Sequence, residues 1–120
     1  MTARGRLALA LVAGVALCSA APASAGAPKK RTVRVGDNYF LPATLTVKPR
    51  TTVVWRWPGY EASGQVHDVE LAKGPKGVKR FHSDPAASDY SFRRKLTVVG
   101  TYRLVCTYHE DMTMTIKVKR

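Results

Sequence analysis

From Val33 to Val118 the chain is a succession of short runs in which apolar and polar residues alternate, and no stretch sustains the 3.6-residue period of an amphipathic helix. Leu45 and Val47 point one way, while Thr44, Thr46 and Lys48 point the other. Val53 and Trp55 oppose Val54 and Arg56. Tyr102, Leu104 and Cys106 share one parity with Arg103 on the other, and Met114, Ile116 and Val118 alternate with Thr115, Lys117 and Lys119. Pro49, Pro58-Gly59, Gly74-Pro75-Lys76-Gly77 and Gly100 cut these runs apart. A strand with one apolar face must bury that face against another sheet, so the pattern predicts an all-β sandwich.

The first residues follow a different logic. Arg4 and Arg6 precede an apolar run from Leu7 to Leu17, and small residues ending in Ala23-Ser24-Ala25 follow. A charged start, an apolar stretch too short to span a bilayer and an A-x-A site predict a secretory signal peptide over residues 1–25. Leu17 is larger than the residue that lipoprotein processing accepts before a cysteine, which argues against lipid attachment at Cys18. Residues 26–31 read as a loose basic leader, and residues 32–120 as one domain, the size of a single small fold.

Removing residues 1–25 leaves Cys106 as the one cysteine. A lone thiol cannot form an internal disulfide, and outside the cell it needs another reason to persist. Its neighbours supply one. Cys106-Thr107-Tyr108-His109-Glu110-Asp111-Met112 gathers a thiol, an imidazole and a thioether in one short stretch, and His67 offers a second imidazole upstream. Soft sulfur with imidazole selects copper over hard cations. Cys106 ends an inward-facing run, so the stretch after it is a tight loop held between two packed strands, a rigid setting for ligands.

These segments together resemble the cupredoxin family, the small blue copper proteins that include plastocyanin, amicyanin and pseudoazurin. Asp37-Asn38-Tyr39-Phe40-Leu41-Pro42 followed by Leu45-Thr46-Val47 is similar to the family's opening segment. Thr52-Val53-Val54-Trp55, His67-Asp68-Val69 and Gly100-Thr101-Tyr102 through His109 resemble its later strands and ligand segments. The resemblance implies a Greek-key sandwich of about seven to eight strands. It also implies one type 1 copper held by His67, Cys106 and His109, with a weak axial methionine. Met112 gives the short loop spacing of amicyanin and Met114 the longer spacing of plastocyanin. Met114 falls in phase with Ile116 and Val118 and reads as core, so Met112 is the expected axial ligand. The residue after the first histidine, which ties the two ligand segments together in the family, is Asp68 here in place of the more usual asparagine.

The resemblance implies a one-electron carrier and not an enzyme, and no Ser-His-Asp arrangement, phosphate-binding glycine loop or zinc Cys-x2-Cys pair can be read. A copper-binding or copper-delivery domain without redox cycling is the alternative, followed by a metal-free basic interaction module. His82 reads as a surface residue, and Trp57 and Tyr60 as partly exposed near a turn.

The full chain has 20 basic residues against 8 acids, and without Arg4 and Arg6 the balance is 18 against 8, or +10. Such a charge predicts redox partners with acidic docking surfaces and an association with anionic cell-envelope components. An exported monomer, extracellular, periplasmic or bound to the envelope, is expected, with no membrane span and no nucleic-acid partner.

Overall fold

A computed structural model describes residues 10–17, 29–59 and 64–120. Eight strands run in the order β1 (Lys30–Gly36), β2 (Tyr39–Leu41), β3 (Thr44–Val47), β4 (Thr51–Trp57), β5 (Glu70–Lys73), β6 (Tyr90–Leu96), β7 (Gly100–Val105) and β8 (Thr113–Val118). They form two four-stranded sheets, ordered β2-β1-β4-β6 and β3-β8-β7-β5. Parallel pairs β1·β4 and β3·β8 stitch the chain's beginning to its middle and to its end. Among the described residues there is no helix, and none therefore is long and apolar enough to cross a membrane. The all-β sandwich expected from the alternation is what forms.

The parity of the runs sets the core. Leu45, Val47, Val53, Trp55, Tyr102, Leu104, Met114, Ile116 and Val118 all turn inward and are buried. Burying a side chain of this size is worth about 1.5–3 kcal/mol. Trp55 packs with Phe92 and Phe81, and the Arg94 guanidinium lies over the ring of Phe92 at 4.7 Å.

Three expectations change. Lys30 and Arg31, assigned to the loose leader, belong to β1, because their backbone pairs with Thr52 and Val53 of β4. Trp57 is buried and not partly exposed, since β4 continues straight to it and its ring meets Tyr90 edge-on at 5.0 Å. Val54, on the outward parity, is also buried; register places it between Thr32 and Arg93, so neighbouring side chains and not the core shield it. Residues 1–9, 18–28 and 60–63 lie outside the description, and with them most of the export signal and Tyr60. His82 is on the surface, as expected.

The site is positioned by strand direction. β1 and β4 end, β6 and β8 begin and β7 ends at one end of the sandwich, where Cys106 follows Val105 directly.

Candidate metal centre

Cys106 leaves β7 in the inward parity and is 3% exposed. The loop after it is closed by its own backbone: the Cys106 N–H donates to the Met112 carbonyl at 2.9 Å, and the Met112 N–H donates to the His109 carbonyl at 3.2 Å. A seven-residue loop closed by these bonds and continuing into β8 has little freedom, which is what a preorganised site requires.

His67 arrives differently. It precedes the strand it leads into, since β5 begins only at Glu70. His67 instead sits in a single bridge, exchanging backbone hydrogen bonds with Ala86 at 2.9 and 3.0 Å. Ser83 holds the next turn by accepting from the Val69 N–H at 2.9 Å through its hydroxyl. The segment before β6 thus carries His67 to the same end as Cys106.

The three donors converge. Nδ1 of His67 lies 3.9 Å from the Cys106 sulfur and Nδ1 of His109 lies 3.6 Å from it. All three donor atoms fall within 4.8 Å of one another. A first-row ion bonded at about 2.3 Å to sulfur and about 2.0 Å to nitrogen, with roughly trigonal angles, separates those atoms by about 3.7 Å. The donor set and its spacing therefore fit a copper ion. Cys106 and His67 are buried, while His109 is half-buried beside the exposed Tyr108.

The two methionines part company. Met114 is buried and its sulfur accepts a hydrogen bond from Trp55 Nε1 at 3.3 Å, which engages it inside the core. Met112 is fully buried although it lies in the loop, so it is no exposed loop methionine.

Two carboxylates support the cluster. Asp68 Oδ1 accepts from the Thr107 N–H at 2.7 Å and Oδ2 from the Thr107 hydroxyl at 2.5 Å, tying the His67 segment to the Cys106 loop. Asp37, at the tip of the β1–β2 hairpin that Asn38 turns at φ 64°, faces His67 Nε2 across 3.2 Å. A partner on one ring nitrogen orients the other, so Asp37 aims Nδ1 at the cysteine. Sequence reasoning missed this role. Its one local signal is Asp-Asn between two extended runs, which predicts a turn but not its destination.

Burial raises the Cys106 thiol above its ordinary pKa; the backbone N–H groups of Asp68 and Tyr108 act in the opposite sense, and the Asp68 carboxylate adds to the rise. A coordinated cation reverses that balance, since a thiol that binds a metal is deprotonated outright.

The model for copper binding proteins of the plastocyanin/azurin family matches residues 28–119, and the chain belongs to that family. Copper is the cofactor that this family and the donor set define. No curated protein matches the chain. Amicyanin from Paracoccus versutus superposes with a TM-score of 0.63 at 23% identity, covering 83% of this chain and 86% of its own. A reduced amicyanin mutant gives 0.63 at 24% identity over 79% of this chain and 87% of its own. A copper-containing nitrite reductase from Thermus scotoductus gives 0.64 at 27% identity over 84% of this chain but 25% of its own. The fold is thus shared with small cupredoxins and with one part of a larger enzyme.

Proposed function

We propose that the chain is an exported mononuclear type 1 copper protein that carries single electrons between redox partners. His67, Cys106 and His109 are the strong ligands in this reading, and Met112 is the weak axial one. The observation that carries it is the convergence of one buried thiol and two imidazole Nδ1 atoms at the end of a rigid sandwich. Bound there, copper supplies the Cu(I)/Cu(II) couple, for which thiolate, thioether and imidazole are a compatible donor set.

The chain's own residues supply the rest. Asp37 and the Ala86 bridge hold the His67 ring, Asp68 locks the two segments together, and the backbone bonds across the loop keep Cys106 and His109 in place. Because neither oxidation state has to rebuild this frame, little rearrangement accompanies electron transfer. His109 is half-buried at the surface and offers the short path to a partner. Nothing in the donor set calls for a substrate, which favours a carrier over an enzyme, and the likeness to nitrite reductase spans a quarter of that protein.

Net charge alone suggested acidic docking surfaces on the partner. Around His109, however, the exposed charges are Glu110 and Asp111, so a contact made at that end fits a basic or neutral surface better. Protein-film voltammetry of the copper-loaded chain tests the carrier reading. A single reversible one-electron wave, absent from Cys106→Ser, supports it; copper that binds without a reversible wave and passes readily to a chelator points to delivery.

A further inference from the structure

Strand direction also sorts the charges of this protein. At the end away from His67 and Cys106, β1 and β4 begin and β3, β6 and β8 finish. Backbone bonds draw these ends together: Thr52 donates to Lys29 at 2.8 Å, Arg50 to Leu96 at 2.7 Å and Lys119 to Val47 at 2.9 Å. That pole presents Lys29, Arg31, Lys48, Arg50, Lys119 and Arg120, all exposed. They line two adjoining concave surfaces that share Lys48 and Arg120. Among the described residues none of the six is ion-paired.

The described acids lie towards the opposite end. Asp37 and Asp68 contact the candidate metal centre, and Glu70 is paired with Val105, next to Cys106. Asp84 falls between the His82 and Ala86 bridges, Asp89 directly precedes β6, and Glu110 and Asp111 lie in the loop of His109. The domain is therefore an electrical dipole along its long strands, positive at the pole remote from the copper end.

A second feature shares the basic pole. In the turn between β6 and β7, Val98 and Val99 are 37% and 43% exposed. They line the same surface as Lys48, Arg50 and Arg120, and the Tyr102 hydroxyl fixes the turn by donating to the Val98 carbonyl at 2.7 Å. A soluble polyanion offers nothing to a pair of projecting valines. An anionic bilayer surface offers both phosphates for the cations and an apolar boundary for the valines.

We propose that this basic pole docks on an anionic lipid membrane, with Val98 and Val99 at the headgroup boundary and the copper end facing away. The domain then stays at the membrane surface without a span, and its electron-transfer end remains open to partners. The docking depends on surface charge and shape, not on the metal, so it stands or falls independently of the copper reading.

The test is co-sedimentation of the exported, copper-loaded protein with phosphatidylcholine vesicles prepared with and without phosphatidylglycerol. Binding is expected only with phosphatidylglycerol, weakening with salt. Lys48→Glu/Arg50→Glu/Arg120→Glu should reduce it by about tenfold or more. Lys73→Glu/Arg103→Glu/Lys117→Glu, the same charge change on the outward face of the β3-β8-β7-β5 sheet, should keep most of it. Val98→Ser/Val99→Ser should weaken vesicle binding while leaving binding to soluble polyphosphate unchanged. Each variant is checked for an intact fold by far-ultraviolet circular dichroism. Absence of lipid-dependent binding, equal loss in the two charge-reversal variants, or indifference to the valine changes would each overturn the proposal.

Discussion

Trp55 donates its indole N–H to the sulfur of Met114 across 3.3 Å, inside the sandwich and between its two sheets. The hydrogen bond separates two methionines that stand two residues apart. Met114 has a partner in the core, whereas Met112 closes the loop that contains Cys106 and His109.

Substituting each in turn should give different phenotypes. Met112→Leu is expected to shift the visible spectrum and reduction potential of the copper-loaded protein with little loss of stability, because leucine conserves volume. Met114→Leu should leave the spectrum in place and lower stability by about 0.5–2 kcal/mol, since it leaves the buried Trp55 N–H unpartnered. Absorption spectroscopy with denaturant unfolding separates the two; a spectral change confined to Met114→Leu would reverse the axial assignment.

Asp68 and Thr107 make the second measurable link. Asp68→Ala removes both acceptors of Thr107 and should cost about 1–3 kcal/mol in urea unfolding. Asp68→Asn keeps an acceptor and the size of the side chain, so stability should change by less than about 1 kcal/mol. Loss of a negative charge beside the cysteine should favour the reduced ion, raising the potential by tens of millivolts, where about 59 mV corresponds to tenfold for one electron. An unchanged potential in Asp68→Asn would remove Asp68 from the set of tuning groups.

Tyr102 gives the fold a pH dependence. Its ring is buried and burial raises its phenol above the usual tyrosine value. The unfolded chain therefore loses this proton first. Tyr102 contributes fully below about pH 10, the unfolded value, and its contribution fades as pH rises through the higher folded value. Tyr102→Phe should cost about 0.5–1.5 kcal/mol at neutral pH by losing the bond to Val98, and should flatten the decline in stability at alkaline pH. Chemical denaturation across that range, with and without the substitution, checks both signs.

Much of this fold was legible because alternation is a local signal. The parities of Leu45, Trp55, Tyr102 and Ile116 follow from neighbours two residues away, and the structure buries all of them. The soft donors of the Cys106 loop were equally local. What escaped depends on distant pairing. The inclusion of Lys30 and Arg31 in β1 follows from β4, and the shielding of Trp57 needs Tyr90. The Asp37–His67 contact spans thirty positions. The gathering of the described acids towards the copper end was also invisible, because basic and acidic residues mix along the sequence and the ends of the strands come together only when strand directions are known.

The account rests on a copper ion held by the Cys106 thiolate with His67 and His109, and the visible spectrum during Cu(II) titration of the metal-free protein tests this most directly. One equivalent should produce an intense sulfur-to-copper charge-transfer band that ascorbate bleaches reversibly and that Cys106→Ser abolishes. A protein that binds Cu(II) without that band, or that keeps the band in Cys106→Ser, would contradict it.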